Sequence, residues 1–408
     1  MRRRICLLAL LCASVLNAQK FYVYVGDLGP DFVVLAWGTA EGHNTIGRTS
    51  PPVGKATVKV GDRTATADQN YLLINGLSPD TEYPYEVSLN GKKIGGAKIR
   101  TWPAKSDKLC FFLLGDWGSG KSPQYQIADA MWKEFAKRSG SDNPVRFIAT
   151  TGDNIYGQLG FTLSFKNSGD SDRDWGPKFF RPYEQILASI PFHPVLGNHD
   201  GNETETRGDL AAYLDNFFFP GLTPARYYRF SYGGLADFFA LDSTQNTESG
   251  PAAPAYRESG DQHKWLMKNL SEAQVPWKIP YFHHPPFNAG PFHPSSAKEL
   301  AHFIDAFKKA GVKVVFTGHE HNLQVSEVNA ATGGIRFLVS GAGGELRAGD
   351  VRSAMERSNI AAWTAQLHYL IVEIDKKEMR ITPASFQPLN LVDRFNKKFD
   401  TPIKVTLP

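Results

Sequence analysis

The stretch LCFFLLGDWG, residues 109–118, is an apolar run followed by a short polar loop, and the same pattern recurs four times along the chain. The other stretches are RFIATTGDNIYG (146–157), FHPVLGNHDG (192–201), IPYFHHPP (279–286) and VVFTGHEHN (314–322). Short apolar runs of this kind, bounded by turn residues, predict buried strands. Because ligands of α/β sheets bind beyond the carboxyl ends of the strands, we expect the five polar loops to meet at one site.

Around these stretches the chain alternates apolar runs with helical patterns from residue 109 onward. Predicted strands cover residues 109–114, 146–150, 192–196, 237–241, 278–282, 313–316 and 335–340, and a hairpin is predicted over 369–383. Predicted helices cover residues 124–137, 182–188, 261–270 and 297–309. This alternation is typical of α/β layers around largely buried sheets.

The segment before residue 105 has a different pattern. Short runs with apolar and polar residues in alternation occupy 21–25, 32–37, 56–60 and 71–74, with Gly and Pro clusters between them. Such spacing predicts an antiparallel β-sandwich. The stretch LSPDTEYPYEV (77–87) resembles the late strands of fibronectin type III domains. We therefore expect a small all-β domain over residues 19–104 and an α/β domain over residues 105–408.

The first 18 residues, MRRRICLLALLCASVLNA, have the form of a secretory signal peptide. A basic start precedes an apolar core and a small residue, Ala18, where cleavage is expected. The apolar core is shorter than the roughly 20 residues that a membrane-spanning helix needs. We expect a secreted or periplasmic protein that is not attached to a membrane after cleavage. Cys110 then remains without a second cysteine, so no internal disulfide is expected.

Charge and composition exclude several classes of function. The formal net charge is +4, of which Arg2, Arg3 and Arg4 supply three charges that leave with the signal peptide. A nearly neutral mature chain has no electrostatic basis for binding nucleic acid or an anionic membrane. The content of 42% hydrophobic and 21% charged residues is ordinary for globular proteins and excludes disorder, collagen and coiled coil. The oligomeric state is left open.

The side chains in the five loops are of the types that hold metal ions. They comprise two carboxylates, one amide and three imidazoles, at Asp116, Asp153, Asn198, His283, His319 and His321. A carboxylate can bridge two cations, and imidazole nitrogens suit iron, zinc or manganese. The chain has too few cysteines for a structural zinc site of the thiolate type. We therefore expect a metal centre that is not a structural zinc site.

The motifs GDWG, GDNIY, GNHD, FHHP and GHEH occur in the order and approximate spacing of the purple acid phosphatases, within the calcineurin-like metallophosphoesterases. The resemblance covers about residues 108–385, and the N-terminal segment looks like the sandwich of the plant-type members. It implies a β-sandwich flanked by helices in α-β-β-α layers. It also implies hydrolysis of small phosphate monoesters, by in-line attack of a metal-bound hydroxide, with an acidic optimum.

The same resemblance implies two sets of metal ligands. Fe(III) would be held by Asp116, Asp153, Tyr156 and His321, and a second ion, Fe(II), Zn(II) or Mn(II), by Asp153, Asn198, His283 and His319. Tyr156, three residues after the bridging Asp153, marks the first metal as iron, because a trivalent cation lowers the Tyr pKa enough to form a phenolate. His283 is preferred over His284 because the family's ligand is followed by one residue and then Pro.

Two further histidines are candidates for catalysis. His199 directly follows Asn198 and matches the family's outer-sphere His, which is expected to protonate the leaving group. His293 lies near the position of a substrate-contacting His in plant-type members, but its loop departs from their pattern, and an exposed loop residue is the alternative. Asp200 is not assigned. The loops at 157–175 and 203–209 are predicted to form the pocket walls.

Three other interpretations stay open. Residues 115–122, GDWGSGKS, fit the phosphate-loop pattern GxxxxGK[ST], which would make Lys121 essential to a nucleotide-hydrolysing enzyme. A phosphodiesterase or nucleotide pyrophosphatase would use the same metals with different pocket walls. A non-catalytic secreted binding or adhesion protein would use the fibronectin-like domain instead. Arg226, Arg229 and Arg347 are possible phosphate contacts without an assignment.

Overall fold

The computed structural model describes residues 20–40, 46–48, 50–156, 175–200, 210–244 and 256–407. The predicted signal peptide and nearly all of the two predicted pocket-wall loops lie outside the described residues. Within those ranges, none of the helices combines the length and the apolar character that crossing a bilayer requires.

The N-terminal part is a sandwich of two antiparallel sheets. Its strands are β1 (Tyr22–Leu28), β2 (Phe32–Gly38), β3 (Ala56–Val60), β4 (Arg63–Ala67), β5 (Tyr71–Asn75), β6 (Glu82–Leu89) and β7 (Lys92–Arg100). They form sheets with the orders β1-β2-β5 and β4-β3-β6-β7. In β3 the side chains of Ala56, Val58 and Val60 are buried while Lys59 is exposed, which is the alternation of a strand with one face on a core. The predicted fibronectin type III-like sandwich is confirmed.

The larger part contains two mixed sheets. Its strands are β8 (Lys108–Leu114), β9 (Val145–Thr150), β10 (Phe192–His193), β11 (Tyr228–Tyr232), β12 (Ala236–Ala240), β13 (Trp277–Tyr281), β14 (Val314–Thr317), β15 (Leu323–Ser326), β16 (Arg336–Ser340), β17 (Ile360–Thr364), β18 (Tyr369–Asp375), β19 (Glu378–Ala384) and β20 (Ile403–Thr406). The first sheet has the order β10-β9-β8-β18-β19-β20, and the second has the order β11-β12-β13-β14-β16-β15-β17. Strands β8, β9 and β10 are parallel, as are β12, β13, β14 and β16.

Helices cover the outer faces of these two sheets. They are α1 (Ser122–Arg138), α2 (Arg181–Leu187), α3 (Ala211–Asn216), α4 (Asp261–Glu272), α5 (Ala301–Lys309) and α6 (Arg352–Met355), with a π-helical turn at Gly176–Phe180 before α2. Helix α1 begins with Pro123 in its first turn, where the missing N–H costs nothing, and ends with Lys137 and Arg138 near the negative pole of its dipole.

Alternate residues of one strand face different layers. In β12, the Phe238 ring meets the Phe111 ring of the first sheet at 5.2 Å, edge to face. Its neighbour Phe239 belongs instead to a second core with Leu266 of α4 and Phe303 of α5. Side chains of successive strand residues point to opposite faces, so the sheets pack on each other and the helices pack outside. The predicted α-β-β-α layers are confirmed.

The sandwich packs directly on the α/β part. The Tyr24 hydroxyl donates to the carbonyl of Asn216 at 3.0 Å, and the Tyr85 hydroxyl donates to that of Ala188 at 2.7 Å. The Trp102 ring lies among aromatic rings of the larger part, 5.7 Å from Phe147. One continuous apolar core therefore spans both parts. The boundary after residue 104 falls between β7 and β8 and stays a prediction.

Two predicted elements are shorter in the structure. The strand expected over residues 192–196 pairs only at Phe192 and His193, because Pro194 has no N–H to donate to a neighbouring strand. The helix expected from residue 297 begins at Ala301, after a turn. Strands β4, β7, β11, β15, β17 and β20 lay outside the predicted set.

Candidate metal centre

The five polar loops meet at one edge of the stacked sheets, as predicted. Asp116 follows β8 and His319 follows β14 of the other sheet, yet the His319 N–H donates to Asp116 Oδ2 at 2.9 Å. Parallel strands end at the same edge of their sheet, and the two sheets face each other, so donors from both come into contact. Asp116, Asp153 and His283 are at most 1% exposed.

One group of donor atoms surrounds the Tyr156 hydroxyl. This oxygen lies 3.3 Å from Asp116 Oδ1, 3.0 Å from Asp153 Oδ2 and 3.1 Å from His321 Nε2. His321 Nε2 in turn lies 3.4 Å from Asp116 Oδ1. The structure thus brings together the four residues that the resemblance implies for Fe(III).

A second group surrounds His283 Nε2. This nitrogen lies 2.9 Å from Asn198 Oδ1, 3.1 Å from His319 Nδ1 and 3.4 Å from Asp153 Oδ1. These are the four residues that the resemblance implies for the second ion. Asp153 belongs to both groups, with Oδ2 in the first and Oδ1 in the second.

The donor spacing fits two cations. Bonds of about 2.1 Å to nitrogen and oxygen place adjacent ligands roughly 3 Å apart, and the contacts within each group are 2.9–3.4 Å. Burial, followed by the charge of Asp153, raises the pKa of Asp116 well above its usual range. Without a cation, a proton on Asp116 relieves the repulsion between these two buried carboxyls, and bound cations would take the place of that proton.

The imidazole rings are prepared as neutral ligands. His283 Nδ1 lies 2.8 Å from the carbonyl of Thr151 and donates its proton there, which leaves the Nε2 lone pair facing the second group. Burial lowers the pKa of both His283 and His319, the latter with help from the neighbouring His284. Neutral imidazoles with a fixed tautomer are the form that binds metals.

The ligand-bearing loops have a strained backbone and approach one another closely. Asp116, Asp153 and His319 adopt positive φ angles of 54°, 49° and 72°, a strained conformation that is concentrated at functional sites. Gly318 lies so close to the first group that a Cβ there would stand 2.5 Å from Asp116 Oδ2. The glycine before His319 is therefore needed for the close approach of the two loops.

Asp200, left unassigned from the sequence, proves to be the link between two ligand-bearing loops. Its buried carboxylate accepts from the N–H groups of Asn154 at 2.9 Å, Ile155 at 3.2 Å and Gly197 at 2.8 Å, and from Asn154 Nδ2 at 2.8 Å. It thereby holds the loop after β9 against the loop that carries Asn198. The position of Asp200 directly after Gly-Asn-His was a sequence signal for a role at this site. Its hydrogen-bond partners could be identified only from the folded structure.

The two predicted catalytic histidines lie beside different donor groups. The His199 ring packs 4.8 Å from the Tyr156 ring, and its backbone N–H donates to Asp153 Oδ1 at 2.9 Å. The His293 ring lies 3.9 Å from the His319 ring. Both positions border the candidate metal centre, and their catalytic roles stay predictions.

A third imidazole extends the second group. His284 lies 4.5 Å from the His319 ring, and its Nδ1 is 3.0 Å from Ser243 Oγ. Together with Ser295 and Glu299, these two histidines line an open cavity of about 300 Å³ beside the second group. The cavity offers room for the organic part of a substrate.

The phosphate-loop interpretation is not supported by the hydrogen bonds of residues 115–122. A phosphate loop presents free backbone N–H groups to its ligand. Here the backbone N–H groups of Asp116, Trp117 and Ser119 donate to the carbonyls of Gly152, Asp153 and Trp117. Those of Gly120 and Lys121 donate to the side chains of Gln124 and Ser119. Lys121 points into solvent and forms an ion pair with Glu345 at 2.6 Å.

Comparison with known proteins identifies the family of this chain. The family model of the calcineurin-like phosphoesterases matches residues 111–323. Purple acid phosphatase 4 of Arabidopsis thaliana is 27% identical over 271 residues, which cover 60% of this chain and 71% of the relative. The uncharacterized protein Rv2577 of Mycobacterium tuberculosis is 21% identical, over 72% of this chain and 59% of its own length.

Two solved structures show the same fold. Purple acid phosphatase PPD1 from yellow lupin superposes with a TM-score of 0.66 at 14% identity, covering 96% of this chain and 75% of its own. PhoD superposes with a TM-score of 0.63 at 15% identity, covering 93% of this chain and 92% of its own. At these identities the likeness concerns the fold.

Proposed function

Because the chain belongs to the calcineurin-like phosphoesterase family, we propose that it is a secreted acid phosphatase that hydrolyses phosphate monoesters at a dinuclear metal centre. The observation that carries this proposal is the position of Asp153, whose two carboxylate oxygens face two separate donor groups. The similarity to purple acid phosphatase 4 of Arabidopsis thaliana supports the choice of monoesters. The division into residues 1–18, 19–104 and 105–408 is part of the same proposal.

The ligands are proposed as the two groups of donors. Fe(III) is held by Asp116, Asp153, Tyr156 and His321, and Fe(II), Zn(II) or Mn(II) by Asp153, Asn198, His283 and His319. When bound, such a pair lowers the pKa of a water molecule and neutralises charge on the phosphoryl group.

The chain itself orients these donors and supplies a proton. The His283 tautomer is set by the Thr151 carbonyl, and Asp200 holds the Asn198 loop in place. The His199 backbone is fixed on Asp153, so its ring is held at the rim beside Tyr156. We assign His199 the protonation of the leaving-group oxygen, a step for which a positioned imidazole is suited.

Hydrolysis rates test the reaction. The purified protein, supplied with iron plus zinc or manganese, is assayed on a phosphomonoester and a phosphodiester from pH 4 to 9, beside Asp153→Asn. Monoester turnover with an acidic maximum, lost in the variant, is expected. A diester preference would move the function to a phosphodiesterase or nucleotide pyrophosphatase. Bound metals without any turnover would favour a binding protein. Lys121→Ala is expected to keep its activity, and its loss would revive the phosphate-loop interpretation.

Visible absorption tests the iron. A phenolate on Fe(III) gives a charge-transfer band, which Tyr156→Phe is expected to abolish while the second metal stays bound. Tyr125→Phe is the matched control, since the Tyr125 hydroxyl donates to the Pro177 carbonyl at 2.7 Å, on the side of α1. A band that survives in Tyr156→Phe, or metal analysis without iron, would refute the Fe(III)–tyrosinate assignment.

A further inference from the structure

Arg347 lies at the rim of the candidate metal centre and is held there by three contacts. Its backbone N–H donates to the carbonyl of His321 at 3.3 Å, so its backbone is attached to a ligand loop. Its Nη1 donates to His293 Nε2 at 3.2 Å. Its guanidinium carbon lies 5.4 Å from the centre of the Phe292 ring, a cation–π contact. Because the backbone is anchored and two contacts hold the guanidinium, this long side chain is oriented in advance of any ligand.

The charge of Arg347 differs from that of the other two candidate arginines. Arg226 is paired with the buried Asp242 at 2.6 Å, and Arg229 with the buried Asp237 at 2.6 Å. Within the described part of the chain, no carboxylate lies at ion-pair distance from the Arg347 guanidinium. The adjacent Glu345 is engaged by Lys121. Arg347 therefore keeps its full charge available for an anion beside the donor groups.

The contact with Arg347 also decides the state of His293. A guanidinium only donates, so His293 Nε2 must accept, and the ring proton lies on Nδ1. That nitrogen is 3.2 Å from Oε2 of Glu320, whose side chain is fully buried. Glu320 Oε2 also accepts the His293 backbone N–H at 2.9 Å. His293 Nε2 is thus engaged by Arg347, and Nδ1 lies beside Glu320 without a well-aligned hydrogen bond, which suits a residue that positions Arg347.

The geometry points to Arg347 as the residue that binds the phosphoryl oxygens of the substrate, with His293 and Phe292 as its positioning residues. This inference rests on the proposed function, because it takes the substrate to be a phosphate ester. The planar guanidinium fork matches two phosphoryl oxygens at once. A monoester offers more terminal oxygens and more negative charge than a diester, so Arg347 favours monoesters.

The test compares phosphate binding and kinetics in the metal-loaded full chain. Arg347→Ala is expected to raise KM for a phosphomonoester, and the dissociation constant of inorganic phosphate measured by calorimetry, by about 10- to 100-fold, the usual effect of losing charged hydrogen bonds. Arg347→Lys should recover part of the loss, since it restores the charge without the fork. The effect on a phosphodiester should be smaller.

Lys121→Ala is the matched control. It also removes a positive charge from this rim, but Glu345 already neutralises the charge of Lys121. His293→Gln should raise KM less than Arg347→Ala does, because it alters one of the two contacts that hold the guanidinium. An unchanged KM and phosphate affinity in Arg347→Ala, at wild-type metal content, would overturn the inference, and so would loss of the metals from this variant. Phosphate binding that depends on Arg347 without any hydrolysis by the wild type would refute the proposed function and leave the Arg347 site standing.

Discussion

Replacing Asp200 with Asn is predicted to loosen the two loops that carry Asp153, Tyr156 and Asn198. The Asp200 carboxylate is 2% exposed, and each of its oxygens faces donors. The Asn side chain keeps one acceptor oxygen and places an NH₂ group where the second oxygen stood. Two donors, for example the Gly197 N–H and Asn154 Nδ2, would then face another donor.

The size of the effect follows from the two lost hydrogen bonds. A buried donor that is left without an acceptor costs about 1–3 kcal/mol, so two such donors should lower the free energy of unfolding by about 2–6 kcal/mol. This is a large share of the roughly 5–15 kcal/mol that stabilises an ordinary domain. A group that orients metal ligands typically changes metal affinity by about 10- to 100-fold when it is altered, and we expect the same here.

Two measurements check this prediction. Denaturant unfolding of the chelator-treated protein gives the change in stability, and competition with a chelator gives the change in metal affinity. Asp350→Asn is the control, since Asp350 is exposed and, among the described residues, bonds only to the nearby Arg352. This substitution should lower the free energy of unfolding by less than about 1 kcal/mol. If Asp200→Asn unfolds at the wild-type midpoint and holds its metals as tightly, then Asp200 does not link the loops.

Three further predictions concern other parts of the chain. Burial raises the pKa of Asp27 from 3.8 to about 7, so the folded state keeps a proton that the unfolded chain releases. The free energy of unfolding should therefore fall by about 3 kcal/mol as the pH rises from 4 to 7, and Asp27→Asn should remove this slope in urea titrations at several pH values. Trp102→Ala should lower the free energy of unfolding by about 3–5 kcal/mol and lower the temperature of the single melting transition expected of the shared core. Two separate melting transitions in the wild type would contradict a shared core. Gly318→Ala should lose the bound metals, because the new Cβ would stand 2.5 Å from Asp116 Oδ2. Gly140→Ala is the control and should keep its metals, because a Cβ at Gly140 would meet open space. Metal analysis of both purified variants checks this prediction.

Central strands were predictable because burial on both faces gives continuous apolar runs. Strands β8, β9 and β14 match their predicted ranges to within a residue or so. Edge strands were not predictable in the same way: β11 and β20 lie at the edges of their sheets, and their partners are set by contacts distant in sequence. At β10 the apolar pattern continued past Pro194, but the proline ended the pairing.

The candidate site divides along similar lines. The chemistry of the donors was present in the sequence, since carboxylate, amide, phenol and imidazole groups follow five apolar strands. Their separation into two groups depends on which oxygen of Asp153 faces which neighbour, and only the folded chain decides that. The same holds for Asp200 and for Arg347, whose partners lie in other loops.

The sequence by itself determined the strand-and-loop pattern, the layers that follow from it and the types of metal-binding side chain, because periodicity and residue chemistry are local properties. Tertiary structure decided the orientation of His293 between Arg347 and Glu320 and the linking role of Asp200. It also decided the shared core that joins the sandwich to the α/β part. These depend on distances between residues far apart in the chain, which only packing brings within hydrogen-bonding range.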